Sequence, residues 1–280
     1  MRLGYLGPPG TFSEEAVRAS SLHADAELVP YASIHETVMA VEEGAVDRAL
    51  VPIENALEGG VTATLDALAG DAREVAIVGE AVLAIRNCLV ARDELALDDI
   101  AVVVSHPQPL AQCARFLRAE LPRAEARPAT STAEAVRAVA AAPEPWAALG
   151  PRTAAECYGC RVLREGVDDD PDNATRFVWL GPAGSAPLAG DGATTWKTSV
   201  VFAGAGDVQP GWLVRCLSEF AFRGVNLTKI ESRPRRGRLG HYLFHVDMEG
   251  RADEPAVAGA VDALHAHCEE VRLLGTYRAA

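Results

Sequence analysis

The sequence predicts an α/β fold with largely parallel sheets, followed by a smaller ferredoxin-like domain. Across the first 182 residues, short apolar strands alternate with polar turns and helices, which is the order that builds parallel sheets. From residue 197 the predicted order changes to β-α-β-β-α-β, the ferredoxin-like signature. The chain has 280 residues, enough for two domains of ordinary size.

The elements of the first 182 residues follow from apolar runs and from capping residues. Ser13 predicts the cap of a helix that runs to about residue 20, and Ser131 with Glu134 forms a capping box ahead of a helix over 135–142. The run 100–104 is apolar and mostly β-branched, as in a strand covered on both faces. The remaining predicted strands cover 2–6, 49–52, 147–149 and 175–180, and the remaining helices cover 61–68, 109–121 and 152–157.

Residues 183–196 are rich in Gly, Ala, Pro and Ser and predict a linker to a second domain over 197–280. In that domain the predicted strands cover 197–202, 226–233, 241–249 and 271–276, and the predicted helices cover 210–223 and 254–267. Arginines at 233, 235, 236 and 238 mark a polar hairpin. We interpret it as a solvated tip rather than a nucleic-acid site, because no nucleic-acid-binding motif accompanies it.

The composition excludes several classes of partner. The formal net charge is −13 and the sequence pI is about 5.0, which argues against a general affinity for nucleic acid or anionic membrane. No stretch reaches the roughly 18 apolar residues that span a bilayer, and no signal-peptide core follows Met1, so a cytoplasmic location is expected. The six cysteines are then expected as thiols. Cys157 and Cys160 have metal-ligand spacing, but no second pair accompanies them, so no metal is expected.

Turns that lead into predicted helices carry small hydroxyl or amide side chains. Helix N-termini attract anions, and such turns together would hold a carboxylate-bearing metabolite if they converged in space. The same residue types are also the ordinary caps of helices, so each turn alone has two interpretations. The turns contain Thr11 with Ser13, Asn55 ahead of Gly59-Gly60, Ser105, and Ser131-Thr132. The common nucleophile, metalloprotease and phosphate-loop signatures are missing, so these residues alone name no reaction.

Five motifs in order resemble the monofunctional bacterial prephenate dehydratases that carry a C-terminal ACT regulatory domain. They are Gly7-Pro8-Pro9-Gly10-Thr11-Phe12-Ser13, Val51-Pro52-Ile53-Glu54-Asn55, Ser105-His106-Pro107-Gln108-Pro109 with Gln112-Cys113, Asn173-Ala174-Thr175-Arg176-Phe177, and Glu231-Ser232-Arg233-Pro234. The resemblance implies that residues 1–182 form two α/β lobes like a periplasmic-binding protein, with the active site in the cleft between them.

The resemblance also implies a reaction without a cofactor. Prephenate loses CO₂ and its ring hydroxyl to give phenylpyruvate, the step toward phenylalanine. Formation of the aromatic ring drives this reaction, so the enzyme holds the substrate and protonates the departing hydroxide. The family's proton donor maps to Thr175. The substrate-binding residues that the matching motifs imply are Asn55, Ser105, Gln112, Thr11, Ser13, Arg176 and Phe177. For Arg176, strand alternation leaves a structural ion pair and substrate-carboxylate binding equally open.

The second domain resembles an ACT domain, which implies phenylalanine as an allosteric effector and a homodimer or homotetramer formed through these domains. The implied effector-binding residues are Gly211, Trp212, Leu213, Val214, Asn226, Leu227, Glu231, Ser232 and Arg233. Trp212 stands where the family motif has alanine. Such a gain in volume alters phenylalanine binding if the indole faces the effector pocket.

The sequence leaves two alternatives to prephenate dehydration open. Arogenate is the first, because it carries the same reacting ring as prephenate. The second is a non-catalytic sensor of a small molecule that kept the two-lobed fold. Thr175 and Asn55 argue against the sensor, which has no need of a proton donor.

Overall fold

The computed structural model describes residues 1–189, 195–204, 209–235 and 239–280. The strands up to residue 182 are β1 (Arg2–Leu6), β2 (Glu27–Tyr31), β3 (Arg48–Asn55), β4 (Gly59–Gly60), β5 (Val75–Ala84), β6 (Cys88–Ala91), β7 (Val102–Ser105), β8 (Glu125–Pro128), β9 (Trp146–Gly150), β10 (Arg161–Arg164) and β11 (Ala174–Pro182). The helices of that segment are α1 (Phe12–Ala19), α2 (Ile34–Glu42), α3 (Thr62–Ala69), α4 (Pro107–Gln112), α5 (Ala114–Glu120), α6 (Thr132–Ala141) and α7 (Arg152–Tyr158). The elements after it are β12 (Trp196–Ala203), α8 (Trp212–Ala221), β13 (Leu227–Pro234), β14 (Tyr242–Glu249), α9 (Pro255–Leu264) and β15 (Glu270–Arg278).

The chain divides into two compact units, each of which is described by itself. The first unit comprises Met1–Thr37, Asn55–Gly59 and Val82–Thr175, and the second comprises Val38–Glu54, Gly60–Ala81 and Arg176–Ala280. The predicted domain boundaries at 182 and 197 remain a prediction.

In the first unit a five-stranded sheet has the order β10-β6-β9-β7-β8. β7 is parallel to β8 and β9, whereas β6 is antiparallel to β9 and β10, so this sheet is mixed rather than largely parallel. α6 and α7 supply apolar side chains to one core cluster of the sheet, including Val136, Val139 and Ala154. The predicted cap of α6 is confirmed, because Oγ of Ser131 accepts a hydrogen bond from the backbone N–H of Glu134.

In the second unit β3, β11 and β5 are neighbours in that order, and β13-β14-β12-β15 form a separate antiparallel sheet. This strand order with α8 and α9 is the predicted βαββαβ arrangement. Phe220 of α8 and Leu264 of α9 pack into one core with Phe202, Val246 and Met248 of the sheet. Because side chains alternate along a strand, the neighbouring residues Ser199, His245 and Asp247 point to the opposite face.

Two predicted helix boundaries are wrong. α1 begins at Phe12 and is capped by Thr11, not by Ser13, which lies inside the helix. The helix predicted over 109–121 is two helices that meet at Cys113, because the carboxylate of Asp169 accepts hydrogen bonds from the backbone N–H groups of Arg115 and Phe116.

Parts of two predicted segments lie outside the described residues. They are 190–194 of the linker and 236–238 of the arginine hairpin. None of the helices in the described ranges is long and apolar enough to cross a membrane. A cluster of metal-ligating side chains is also absent from the part of the chain that the structure describes.

Candidate functional site

Two residues on neighbouring strands form the centre of the candidate site in the first unit. Asn55 ends β3, and Thr175 lies near the start of β11. Nδ2 of Asn55 donates a hydrogen bond to Oγ1 of Thr175 at 3.0 Å, and Thr175 is buried. Because Oγ1 accepts this bond, the hydroxyl proton of Thr175 is left to donate elsewhere.

The side-chain amide of Asn55 is held at both ends. Nδ2 also lies 3.0 Å from Oδ1 of Asn173 and 3.2 Å from the carbonyl oxygen of Ala174. Oδ1 accepts hydrogen bonds from the backbone N–H of Leu57 at 3.0 Å and of Glu58 at 3.2 Å. Since Nδ2 faces acceptors and Oδ1 faces donors, the amide has one orientation, and it presents a fixed donor to Thr175.

Asn173 links this pair to Gln112. Nδ2 of Asn173 donates to Oε1 of Gln112 at 3.5 Å, so Gln112, Asn173, Asn55 and Thr175 form one chain of polar contacts. Sequence reasoning did not select Asn173 as a site residue, although it stands two residues before Thr175 in the same motif. That spacing is the signal that identifies it.

An exposed cation lies beside the same polar chain. Nη1 of Arg86 donates to the carbonyl oxygens of Ile85 at 2.9 Å and of Asn173 at 3.4 Å. The Arg86 side chain is exposed, and no motif of the sequence analysis pointed to it. A guanidinium at this place is suited to bind a carboxylate.

Among the described residues, no hydrogen bond joins Ser105 to this chain of polar residues. It is fully buried at the end of β7, and its hydroxyl donates to the carbonyl oxygen of Leu149 at 2.8 Å. The alternative that Ser105 caps the following helix is wrong. The cap of α4 is His106, whose Nδ1 accepts a hydrogen bond from the backbone N–H of Gln108.

Thr11 and Ser13 serve the start of α1. The hydroxyl of Thr11 donates to the carbonyl oxygen of Leu6 at 2.9 Å and accepts from the backbone N–H of Glu14. Ser13 is buried within the helix. No hydrogen bond among the described residues joins either of them to Asn55 or Thr175. The capping interpretation of Thr11 is therefore confirmed, and a substrate contact of either residue stays a prediction.

Arg176 lies in the second unit among three carboxylates. Its Nε is 3.0 Å from Oε2 of Glu54, its Nη1 is 3.2 Å from Oε2 of Glu80, and its Nη2 is 2.6 Å from Oδ2 of Asp247. The Arg176 side chain is only 11% exposed. The ion-pair alternative for Arg176 is therefore confirmed, and its nitrogens are already engaged by carboxylates of the chain itself.

Burial disfavours the charged guanidinium, but the adjacent Asp247 and Glu80 more than offset this, so the pKa of Arg176 is raised. Two lysines complete the cluster. Nζ of Lys197 is 2.8 Å from Oε1 of Glu80, and Nζ of Lys229 is 3.8 Å from Oε2 of Glu54. Burial lowers the pKa of Lys229, and Glu54 opposes that shift. Three cations thus face three carboxylates, so the charges of this cluster balance.

The side chain of Phe177 lies in the protein interior. It is 2% exposed and is one of the largest fully buried side chains of the chain. Packing accounts for its place in the motif, and a substrate contact of Phe177 stays a prediction.

The implied effector residues separate into two groups. A cavity of about 220 Å³ is lined by Gly211, Trp212, Leu213 and Val214 together with Gln209, Gly240, Tyr242 and Phe244. Glu231 and Arg233 instead face α3. Nε and Nη2 of Arg233 hold the carboxylate of Asp66 at 2.9 and 3.0 Å, and the Glu231 carboxylate lies against Gly60. Asn226, Leu227 and Ser232 do not line the cavity either.

The indole of Trp212 points into the core of the C-terminal sheet. It is 4% exposed and packs against Phe202 and Phe244, with ring centroids 6.2 and 5.8 Å away. Its Nε1 donates to the carbonyl oxygen of His267 at 2.7 Å. The tryptophan therefore forms one wall of the cavity while most of its volume fills the core.

Comparisons with known proteins identify the family. The family model for prephenate dehydratase matches residues 3–185. The chain belongs to the prephenate dehydratase family. A prephenate dehydratase of Mycobacterium tuberculosis is 41% identical over 285 residues, which cover 99% of this chain and 87% of that protein. The predicted enzyme class, a hydro-lyase, is thereby confirmed.

Solved structures agree with this family in fold. The structure of the Arthrobacter aurescens prephenate dehydratase in complex with L-Phe superposes with a TM-score of 0.90 at 40% identity, covering 99% of this chain and 90% of that chain. A structure described as GqqA, a novel type of quorum quenching acylase, superposes with a TM-score of 0.87 at 30% identity, covering 100% and 98%. The α/β fold class of this prephenate dehydratase family member is confirmed.

Proposed function

We propose that this member of the family converts prephenate to phenylpyruvate with Thr175 as the proton donor. The observation that carries the proposal is the hydrogen bond from Nδ2 of Asn55 to Oγ1 of Thr175. In the reaction the bond from the ring to its carboxylate breaks, and the electron pair moves through the ring. CO₂ is released, the bond to the ring hydroxyl breaks, and the departing oxygen takes the hydroxyl proton of Thr175 and leaves as water. The Thr175 oxygen then regains a proton from solvent.

A threonine hydroxyl is a weak acid, so the environment of its oxygen decides whether it can act. The departing oxygen is strongly basic in the transition state, which favours transfer of a proton from a hydroxyl. The fixed amide of Asn55 donates to the same oxygen that becomes electron-rich as the proton leaves. Asn55 therefore stabilises the transition state more than the ground state, which is the condition for a gain in rate.

The test compares two variants of one position. Thr175→Ser keeps the hydroxyl, whereas Thr175→Val keeps the shape and removes it. Loss of a general acid costs about 10² to 10⁴ in rate, so we expect Thr175→Val to lose kcat by that factor. Thr175→Ser should retain most of it. Phenylpyruvate formation is followed from purified protein, with arogenate assayed beside prephenate. If Thr175→Val and Thr175→Ser both retain the kcat of the wild type, Thr175 is not the proton donor.

Phenylalanine is the proposed effector of the C-terminal domain, which we infer to be an ACT domain. The cavity formed by Gly211 to Val214 supports this inference, as does the L-Phe bound to the Arthrobacter aurescens relative. Val214 is exposed and lines the cavity. Exchange of Val214 for arginine should raise the phenylalanine concentration needed for half-inhibition.

A second copy of the chain is the proposed partner of the same domain. Its surface exposes large apolar side chains, which mark interaction sites when they cluster. In the described part of this domain they are Val214, Phe222, Ile230, Leu239, Tyr242 and Leu273. The oligomeric state, homodimer or homotetramer, is measured by light scattering with and without phenylalanine. A monomer under both conditions would contradict the proposed partner.

Hydrolysis of an acyl amide is the second candidate, since one similar structure is described as an acylase. A hydroxyl nucleophile needs a neighbouring base that takes its proton. The described partner of the Thr175 hydroxyl is the amide nitrogen of Asn55, which donates and takes no proton. Release of a carboxylic acid from an N-acyl substrate, lost in Thr175→Val, would favour the acylase over the dehydratase.

A further inference from the structure

Arg176 donates to Asp247 of the C-terminal sheet, and Asp247 is itself held by a second hydrogen bond. Asp247 of β14 binds Nη2 of Arg176 through Oδ2 and accepts a hydrogen bond from Oγ of Ser199 through Oδ1, both at 2.6 Å. Ser199 in turn contacts the hydroxyl of Tyr277 at 2.8 Å. Burial raises the pKa of Tyr277, so its hydroxyl stays protonated. Asp247 therefore has a fixed position from which it holds the guanidinium.

Arg176 and one of its three partners, Glu54, are each next in the chain to a member of the proposed reacting pair. Glu54 precedes Asn55 in β3, and Arg176 follows Thr175 in β11. The two strands are thus joined twice, by the amide-to-hydroxyl bond of Asn55 and Thr175 and by the ion pair of Glu54 and Arg176. Consecutive side chains of a strand point to opposite faces. The ion pair and the reacting pair therefore use opposite faces of β3 and β11.

We propose that Arg176 is a positioning residue, which transmits the position of Asp247 in the C-terminal sheet to the hydroxyl of Thr175. This proposal rests on the proposed function. Any displacement of Asp247 relative to β11 moves Arg176, and with it the backbone that carries Thr175. Proton transfer needs the donor within hydrogen-bond reach of the departing oxygen, and a misplacement of about 1 Å costs about 100-fold in rate.

A residue that binds substrate and a residue that positions the proton donor differ in their kinetic signature. Loss of a substrate contact raises KM, whereas loss of positioning lowers kcat and leaves KM nearly unchanged. The nitrogens of Arg176 are shared among Glu54, Glu80 and Asp247, so a substrate carboxylate would have to displace one of them. The structure therefore predicts the second signature.

The experiment uses the full chain and replaces Asp247 by asparagine, which keeps the shape and removes the charge. Asp247→Asn should lower kcat for prephenate by about 10-fold to 100-fold, with KM changed by less than about 3-fold. Ser199→Ala leaves every charge in place and should lower kcat in the same direction by less. It replaces Asp247→Asn as the decisive variant if the latter does not fold.

Glu270→Gln is the matched control. Glu270 of β15 forms an ion pair with Arg73 at 2.8 Å, and neither residue is next to the reacting pair in the chain. This variant should retain the kcat and KM of the wild type. Arg176→Ala adds a chemical rescue: free guanidinium should restore part of kcat, and it should not do so in Asp247→Asn.

The outcomes distinguish a failure of the proposed function from a failure of the positioning role alone. A wild-type protein that does not turn over prephenate overturns the proposed function and the positioning role with it. With an active wild type, a rise in KM at constant kcat in Asp247→Asn overturns only the positioning role. The positioning role is also overturned if Asp247→Asn and Ser199→Ala both retain the kcat of the wild type. The control Glu270→Gln should retain it in either case.

Discussion

The pH dependence of stability is expected to depend strongly on His245. This residue of β14 is 3% exposed, and neither ring nitrogen has a hydrogen-bond partner among the residues that the structure describes. Burial lowers its pKa from 6.5 to about 4, partly offset by Asp247. Three weaker electrostatic interactions also act on this pKa. Lys229 and Arg272 lower it, and Asp66 raises it.

The sign follows from proton binding. Between pH 4 and 6.5 the unfolded chain holds a proton on His245 that the folded chain does not. Stability from this group is therefore complete above pH 6.5 and is lost as the pH falls toward 4. One pKa unit corresponds to about 1.4 kcal/mol. Lowering the pH from 7.5 to 5 should then cost about 2 kcal/mol of unfolding free energy.

The assay is urea unfolding followed by tryptophan fluorescence at several pH values between 5 and 7.5. His245→Leu removes the titrating group and should flatten the pH dependence by about 2 kcal/mol relative to the wild type. His265→Leu, at an exposed position, is the matched control. If His245→Leu keeps the wild-type dependence on pH, the reasoning from burial is refuted.

Three further predictions concern packing and charge. In Gly275→Ala, the added Cβ would overlap the carbonyl oxygen of Ile77, so a large drop in Tm is expected; an unchanged Tm would contradict the close approach. Trp212→Phe leaves the partly buried carbonyl of His267 without its donor and should cost about 1 kcal/mol in urea unfolding, whereas no loss would mean that water replaces the indole. Arg86→Gln should raise KM for prephenate more than it lowers kcat, because its exposed guanidinium lies beside the polar chain of the site; an unchanged KM would remove it from substrate binding.

Local chemistry made several elements predictable. Ser131 and Glu134 stand at capping-box spacing, and the structure has the bond that this spacing predicts. The same rule explains the error at α1. Thr11 and Glu14 have that spacing too, and the backbone N–H of Glu14 donates to Thr11, which excludes Ser13 as the cap.

Contacts between distant residues account for what the sequence could not predict. Cys113 ends one helix because Asp169, more than fifty residues later, binds the first N–H groups of the next helix. Nothing in the local run of residues carries that information. Asn173 was missed for a different reason: asparagine is common in turns, so its spacing from Thr175 was not used, although its side chain contacts Asn55 of β3.

For Arg176, the alternation of side chains along a strand predicts the face but not the binding partner. Alternation separates it from Thr175 but leaves its partner open, since a substrate carboxylate and a protein carboxylate have the same chemistry. The decision comes from Glu80 and Asp247, which the fold brings to the guanidinium from two other strands. With Arg176 occupied, the charge of a dianionic substrate has to be met by other groups. Among the described residues, the exposed Arg86 lies beside the polar chain that contains Thr175, so we predict that its guanidinium meets part of this charge.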